Sequence, residues 1–181
     1  IQVNLLESIL DIQFEVLTTY LNDGHELPVR SAVNNANAYI SAPYGIYETK
    51  EGYLALAMCS IVVLGELLGC EALTKYTDES EWATKRDEIK GILKEHLMRE
   101  TADHWLSILE KADIWCAKVL NWKELFETEG FKQLGMLQGI YRDGKEIFKT
   151  TSCPIKFDGE RYYSEKPVPS IGQDNEKYIR R

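Results

Sequence analysis

Histidine and cysteine are the first side chains to consider, because they act as nucleophiles, proton carriers and metal ligands. The chain has 181 residues with three histidines, His25, His96 and His104, and none lies three or four positions from another histidine or a cysteine. That spacing would place two ligands on one helical face, so we predict no metal site. The sequence also lacks the Gly-x-Ser-x-Gly, Walker and Gly-x-Gly-x-x-Gly motifs. From motifs alone we predict no self-contained catalytic centre.

Charge and cysteine usage narrow the choice of compartment and partner. The chain carries 21 basic and 29 acidic residues, a net charge of −8, which argues against nucleic acid or an anionic membrane as the main partner. The most apolar stretch, 53–68, is shorter than the roughly 20 residues that span a bilayer. No two of the four cysteines form a Cys-x-x-Cys pair. We therefore predict reduced thiols in a cytoplasmic protein.

The elements that must position a site follow an α+β order. Residues 4–21 predict one long helix, because polar residues recur every three or four positions among ten apolar ones, and Gly24 ends it. Residues 24–43 have no usable period and predict a long loop, which is either functional or a linker. Tyr44–Ala57 predicts a hairpin whose turn ends at Gly52.

A small antiparallel sheet with packed helices follows, and then an extended carboxyl-terminal arm. We predict helices over 60–68, 84–98 (with Thr84 and Asp87 as a capping box), from Thr101, and within 122–134; strands over 114–119, 136–141, 145–148 and 151–158; and a short helix after Asp174. His96 and His104 are expected to be at the surface or half-buried, and Asp87 to lie on a solvated helix face. The four tryptophans are expected to serve core and hinge packing.

Six stretches in a fixed order carry a family resemblance: Gln2–Ser8, Ala42–Ala57, Arg86–Ile89, Thr101–Val119, Pro154–Gly159 and Pro167–Gln173. They resemble the carboxyl-terminal half of the family III CoA transferases (CaiB/BaiF family), which include formyl-CoA transferases, carnitine CoA-transferases and α-methylacyl-CoA racemases. The hairpin Ala-Pro-Tyr-Gly-Ile-Tyr-Glu-Thr-Lys-Glu-Gly resembles the family's Ala-Pro-Tyr…Thr-x-Asp-Gly hairpin. Two departures are that residues 33–41 lack the glycines and arginine of the family's loop, and that Trp115 replaces a proline.

The resemblance implies a parent enzyme with a further, Rossmann-like half that binds CoA. The family's catalytic aspartate would precede Ile1, so no aspartate here inherits its role and this chain alone is expected to be inactive. The resemblance divides the chain into residues 1–23, a helix of the parent's large CoA-binding domain; 24–43, a linker or active-site loop; 44–158, a small α+β domain; and 159–181, a return arm. Within the loop, Tyr39 and Ser41 are the candidate substrate-binding residues.

The implied function is transfer of CoA between carboxylic acids through an aspartyl–CoA intermediate, with an acyl-CoA and a carboxylate acceptor as substrates and no covalently bound cofactor. Two alternatives are open: a racemase or dehydratase-type relative acting on CoA thioesters, and a non-catalytic binding module. Family members form interlocked homodimers. We therefore expect another chain to cover helix 4–21, and the alternative is that it packs on its own small domain.

Overall fold

The structure is a computed structural model of the chain that describes residues 2–34, 36–164 and 166–178. It divides into two compact units, residues 1–119 and residues 120–181. The first unit combines helices with a three-stranded antiparallel sheet, and the second combines helices with two-stranded sheets. The α+β class predicted from the sequence is confirmed. The domain boundaries proposed after residues 23, 43 and 158 stay a prediction.

The amino-terminal region contains two short helices, and the prediction of one long helix is wrong. Helix α1 spans Leu5–Ile12 and helix α2 spans Phe14–Asn22. Between them Gln13 has φ −95° and ψ 12°, and its N–H is shared between two carbonyls, which is a tightened geometry common at helix ends. The predicted stop is confirmed, because Gly24 follows α2 with φ 91°.

The three-stranded sheet is built on the predicted hairpin. Strands β1 (Gly45–Glu48) and β2 (Tyr53–Leu56) pair antiparallel, and β3 (Cys116–Val119) pairs with β2. Gly52, at φ 79°, makes the turn as predicted. The buried side chains of the sheet face the helices that follow it, and they include Tyr47 and Leu54.

Five helices pack with this sheet: α3 (Ile61–Leu68), α4 (Glu71–Thr74), α5 (Glu81–Thr84), α6 (Arg86–Leu97) and α7 (Ala102–Leu109). Ser60 and Thr101 cap α3 and α7, as their side-chain oxygens accept backbone N–H groups. The capping box predicted at Thr84 is wrong. The Thr84 hydroxyl donates to the Ser80 carbonyl, and α6 begins after Lys85 without a side-chain cap.

The second unit contains α8 (Trp122–Glu127), α9 (Glu129–Leu134), β4 (Leu137–Arg142), β5 (Lys145–Thr151), β6 (Lys156–Phe157), β7 (Glu160–Arg161) and α10 (Asn175–Tyr178). The helical region after Trp122, the hairpin at Asp143 and the final short helix are confirmed. The single strand predicted over 151–158 is wrong. Asp158 and Gly159 have φ values of 50° and 85° and turn the chain into a separate hairpin, β6–β7.

Two further observations concern the state of the cysteines and the length and apolar character of the helices. All four cysteines are free. Within the described residues, no helix combines the length and the apolar character needed to cross a membrane.

Candidate functional site

The stretch between α2 and β1 is the candidate site, and it is a loop as the sequence predicts. Its described residues, 24–34 and 36–44, contain neither helix nor strand. Two consecutive residues at the start of α6 hold it. The Arg86 guanidinium donates one N–H to the Ala38 carbonyl, at 2.9 Å, and another to the Val29 carbonyl. One side chain therefore joins two points of the loop that are nine positions apart.

Asp87 holds the stretch between those two points. Its Oδ1 accepts from the Ser31 hydroxyl at 2.6 Å and from the Ala32 N–H at 3.0 Å. The Ser31 hydrogen bond, together with the Ala32 N–H and the nearby Arg86 charge, holds the pKa of the Asp87 carboxyl below its ordinary value. The carboxylate is therefore ionised at neutral pH. The prediction of a solvated face for Asp87 missed these contacts.

The loop also lies directly against strand β1. The Asn34 side-chain amide donates to the Ile46 carbonyl at 2.6 Å. A Cβ atom added to Gly45 would be 2.5 Å from the Asn34 carbonyl oxygen, so only glycine permits this approach. Asn34 itself has φ 46°, a conformation that asparagine tolerates better than most residues. Glycine and asparagine thus fix where the loop crosses the strand.

Tyr39 and Ser41, the predicted substrate-binding residues, are both half-buried in this loop. The Tyr39 hydroxyl is buried and has no hydrogen-bond partner among the described residues. Burial raises the pKa of Tyr39, and Asp23 and Tyr20 raise it further. The Ser41 carbonyl accepts from the Tyr44 N–H at 3.2 Å. A substrate-binding role for the two residues stays a prediction.

An apolar trough of about 390 Å³ lies beside the loop and includes Ala36 in its lining. Part of its lining is a row of cross-strand neighbours, Ile46, Ala55 and Ala117, on the sheet face opposite the buried Tyr47. Trp115 also lines it and is 71% exposed. The prediction of core or hinge packing is therefore wrong for Trp115 because its indole faces solvent.

Two more side chains differ from expectation, and a third, Lys90, had no prediction. Trp122 is 75% exposed, so it is not a core residue. His96, predicted at the surface or half-buried, is buried, and its Nε2 lies 2.9 Å from the Leu68 carbonyl oxygen. Lys90 is fully buried and its Nζ has no hydrogen-bond partner among the described residues. Burial, and then the Arg86 charge, lower the pKa of Lys90.

The groups at the loop can bind and orient a ligand. Within the described part of the chain, no group of three or more histidine, cysteine or acidic side chains could hold a metal ion. The loop offers polar backbone groups and small side chains, beside an apolar trough. Such a surface suits recognition of an extended, partly apolar molecule, and hydrogen bonds from Arg86 and Asp87 tie the loop to α6.

Comparison with known proteins gives a family and a fold. A family model described as CoA-transferase family III matches residues 1–175. No curated protein matches the chain. Among solved structures, Rv3272 from M. tuberculosis is 18% identical with a TM-score of 0.67, over 99% of this chain and 47% of its own length. A CaiB/BaiF family protein from Brucella suis is 20% identical with a TM-score of 0.62, over 92% of this chain and 43% of its own length. The chain thus spans less than half the length of these solved relatives, and the likeness to them is one of fold.

Proposed function

The chain belongs to CoA-transferase family III, and from this membership we propose that it is the segment of an acyl-CoA transferase that moves CoA between carboxylic acids. The match over residues 1–175 is the observation that carries the proposal. The substrates are an acyl-CoA thioester and a carboxylate acceptor. The reaction runs in the cytoplasm and uses no metal and no covalently bound cofactor.

The reacting aspartate of the proposed mechanism precedes Ile1. Its carboxylate attacks the thioester carbonyl, which gives an acyl-aspartyl anhydride and free CoA thiolate. The thiolate then attacks the aspartyl carbonyl, which gives an aspartyl–CoA thioester and releases the donor acid. The acceptor carboxylate and CoA pass through the same two steps in reverse. Covalent catalysis of this kind divides one difficult transfer into easier steps.

In this mechanism the contribution of the present chain is to cover and orient the substrate. The 24–41 loop closes over the thioester, and Tyr39 and Ser41 contact it. Three observations support this role: the loop's hold by Arg86, its close approach to Gly45, and the apolar trough beside it. The small side chains of the loop permit close approach to a ligand.

We also propose that the protein is a homodimer in which another chain covers α1 and α2. Eight large apolar side chains of these helices are exposed, and they range from 37% to 83%: Leu5, Leu6, Ile9, Leu10, Ile12, Phe14, Leu17 and Leu21. Full burial of such a side chain stabilises by about 1.5–3 kcal/mol. A surface of this kind is typical of an interface.

The direct test uses the full-length protein that carries this chain. We expect it to transfer CoA from an acyl-CoA to a carboxylate acceptor in a panel assay, and we expect the 181-residue chain alone to transfer none. Tyr39→Ala with Ser41→Ala should raise KM or lower kcat. The matched control is Tyr162→Ala with Ser107→Ala, two exposed positions outside the loop. Turnover by the 181-residue chain alone would contradict the proposal that the catalytic aspartate precedes Ile1. Unchanged kinetics in the loop variant would indicate that the loop is only a linker.

A second reaction class fits the same family. The loop stretch 33–41 contains neither glycine nor arginine, and Trp115 stands where the family has proline, so the substrate surface differs from that of the transferases. A racemase or dehydratase-type reaction on a CoA thioester would then replace transfer, because one fold can support several reactions. Racemised or dehydrated thioester in the panel, without acceptor-dependent exchange, would identify it. Binding of acyl-CoA without any turnover would indicate a non-catalytic module.

A further inference from the structure

Arg86 is the only residue of α6 that joins two distant points of the loop among the hydrogen bonds of the described residues. Its two N–H donors leave one planar guanidinium and reach the carbonyls of Val29 and Ala38. Neither bond is to a carboxylate, so both partners are fixed backbone positions. A guanidinium suits this task because its donors diverge in a rigid fork.

The helix that carries Arg86 is firmly held. Ile89, Leu93 and Leu97 of α6 are fully buried in the core of the first unit. Asp87, the next residue, holds Ser31 and Ala32 between the two Arg86 contacts. The loop is thus fastened at several points to a single rigid element.

We propose that Arg86 is a positioning residue, which fixes the 24–41 loop in the shape that receives the acyl-CoA thioester. This inference rests on the proposed function, because it takes the loop to cover substrate. Arg86 contacts loop carbonyls and acts on the ligand through the loop. Without its two bonds the loop samples more conformations, and a ligand must order it on binding, which weakens apparent affinity.

The first experiment measures amide hydrogen exchange in the chain. Arg86→Gln replaces the charged guanidinium fork by a shorter, uncharged amide, and the amides of residues 29–34 and 36–38 should exchange about tenfold faster or more. The amides of α3 should not change. Lys85→Gln is the matched control, since it removes a neighbouring positive charge whose partner is Glu81 and not the loop. Arg86→Lys retains the charge but not the rigid fork of the guanidinium, so it should fall between wild type and Arg86→Gln.

The second experiment measures kinetics in the full-length protein. Arg86→Gln should raise KM for the acyl-CoA by about tenfold to a hundredfold, the range expected for lost hydrogen bonds to a charged group. The value of kcat should fall much less, and Arg86→Lys should restore part of the loss. A merely structural role would lower the amount of folded enzyme and leave KM unchanged.

The outcomes separate this inference from the function on which it rests. If amide hydrogen exchange of the loop residues is unchanged in Arg86→Gln, the inference that Arg86 holds the loop is overturned. Faster exchange with unchanged KM overturns the positioning role and leaves CoA transfer intact. A wild-type protein that transfers no CoA overturns the proposed function, and with it the kinetic part of this inference. If Arg86→Gln does not fold, Arg86→Lys is read by the same criteria with a smaller expected change.

Discussion

Two helical regions of the first unit differ in the exposure of their apolar side chains. In α6, Leu93 and Leu97 are 0% exposed, because the sheet and the neighbouring helices cover them. In α1, Leu5 is 83% and Ile12 is 81% exposed. Both helices have an amphipathic sequence, yet only the apolar face of α6 is buried by other residues of the first unit. Apolar periodicity therefore predicts that a face will be buried, and it does not say by what.

The difference divides the first unit into a self-sufficient part and a dependent part. The sheet and α3–α7 have a continuous core and satisfied helix caps at Ser60 and Thr101. Helices α1 and α2 contain no buried residue. The first part thus has a core of its own, whereas the described residues of the first unit do not bury α1 and α2, and cover by another chain stays our proposal.

The largest expected effect separates the two parts directly. Leu93→Ala should lower the free energy of unfolding by about 2–5 kcal/mol, since it opens a cavity in a packed core. Ile9→Ala, at a 51% exposed site, should change it by less than about 0.5 kcal/mol at high dilution. Urea unfolding measures both. An equal loss in the two variants would show that α1 is packed in the isolated chain.

The next effect is a gain of stability. Lys90→Met should raise the free energy of unfolding at neutral pH by about 1–3 kcal/mol, because it replaces a buried, unpartnered ammonium by an apolar side chain of similar length. Folding lowers the pKa of Lys90, so the penalty is largest at low pH and disappears as pH rises towards the ordinary lysine pKa of about 10.4.

Unfolding measured at several pH values therefore tests both the stability gained by Lys90→Met and the pH dependence of that gain. The advantage of Lys90→Met over wild type should be greatest at or below neutral pH and should shrink towards pH of about 10. Lys94→Met, one turn along the same helix and exposed, is the control and should show no such trend. A variant less stable than wild type at neutral pH would mean that Lys90 has a favourable partner.

A smaller effect concerns helix caps within the self-sufficient part. The Thr101 side chain accepts the His104 N–H at 3.2 Å, so Thr101→Ala should cost about 1 kcal/mol. Thr84→Ala is its matched control, because Thr84 caps no helix. Thermal unfolding should show a lower Tm for the first variant only. A comparable loss at Thr84 would restore the capping box that the sequence predicted.

The smallest effect belongs to the surface ion pair between Lys118 and Asp103. The Lys118 Nζ lies 3.1 Å from the Asp103 Oδ2, and the Asp103 side chain is 72% exposed. Asp103→Asn should cost only about 0.2–1 kcal/mol, and the difference should shrink as salt is added. A loss as large as that of Leu93→Ala would show that this surface contributes to the core.

Local chemistry made much of this fold predictable. Gly52, with φ 79°, makes the turn where the sequence predicts it, and Gly69, with φ 65°, follows α3 at residue 68, where the predicted helix ends. Short-range signals of this kind act within a few residues. The break at Gln13 has no such signal, because neither glycine nor proline occurs there and the apolar pattern continues through it.

The site was harder to predict, because its contacts join residues far apart in sequence. Arg86 and Ala38 are separated by 48 positions, and Asp87 and Ser31 by 56. No periodicity in the local sequence predicts a contact between residues so far apart. Lys90 could have been noticed, since it lies three and seven positions before the buried Leu93 and Leu97 and shares their helical face. Its position on an apolar stripe was a sign of burial.

We propose that another chain covers α1 and α2, and the molar mass in solution tests this most directly. Light scattering at micromolar concentration should give twice the 20.8 kDa mass of one chain. Leu6→Glu with Ile9→Glu should return the mass to that of one chain, whereas Val63→Glu, at an exposed apolar position of α3, should not. A wild-type chain that is monomeric under these conditions, with both helices packed on its own first unit, would contradict the account.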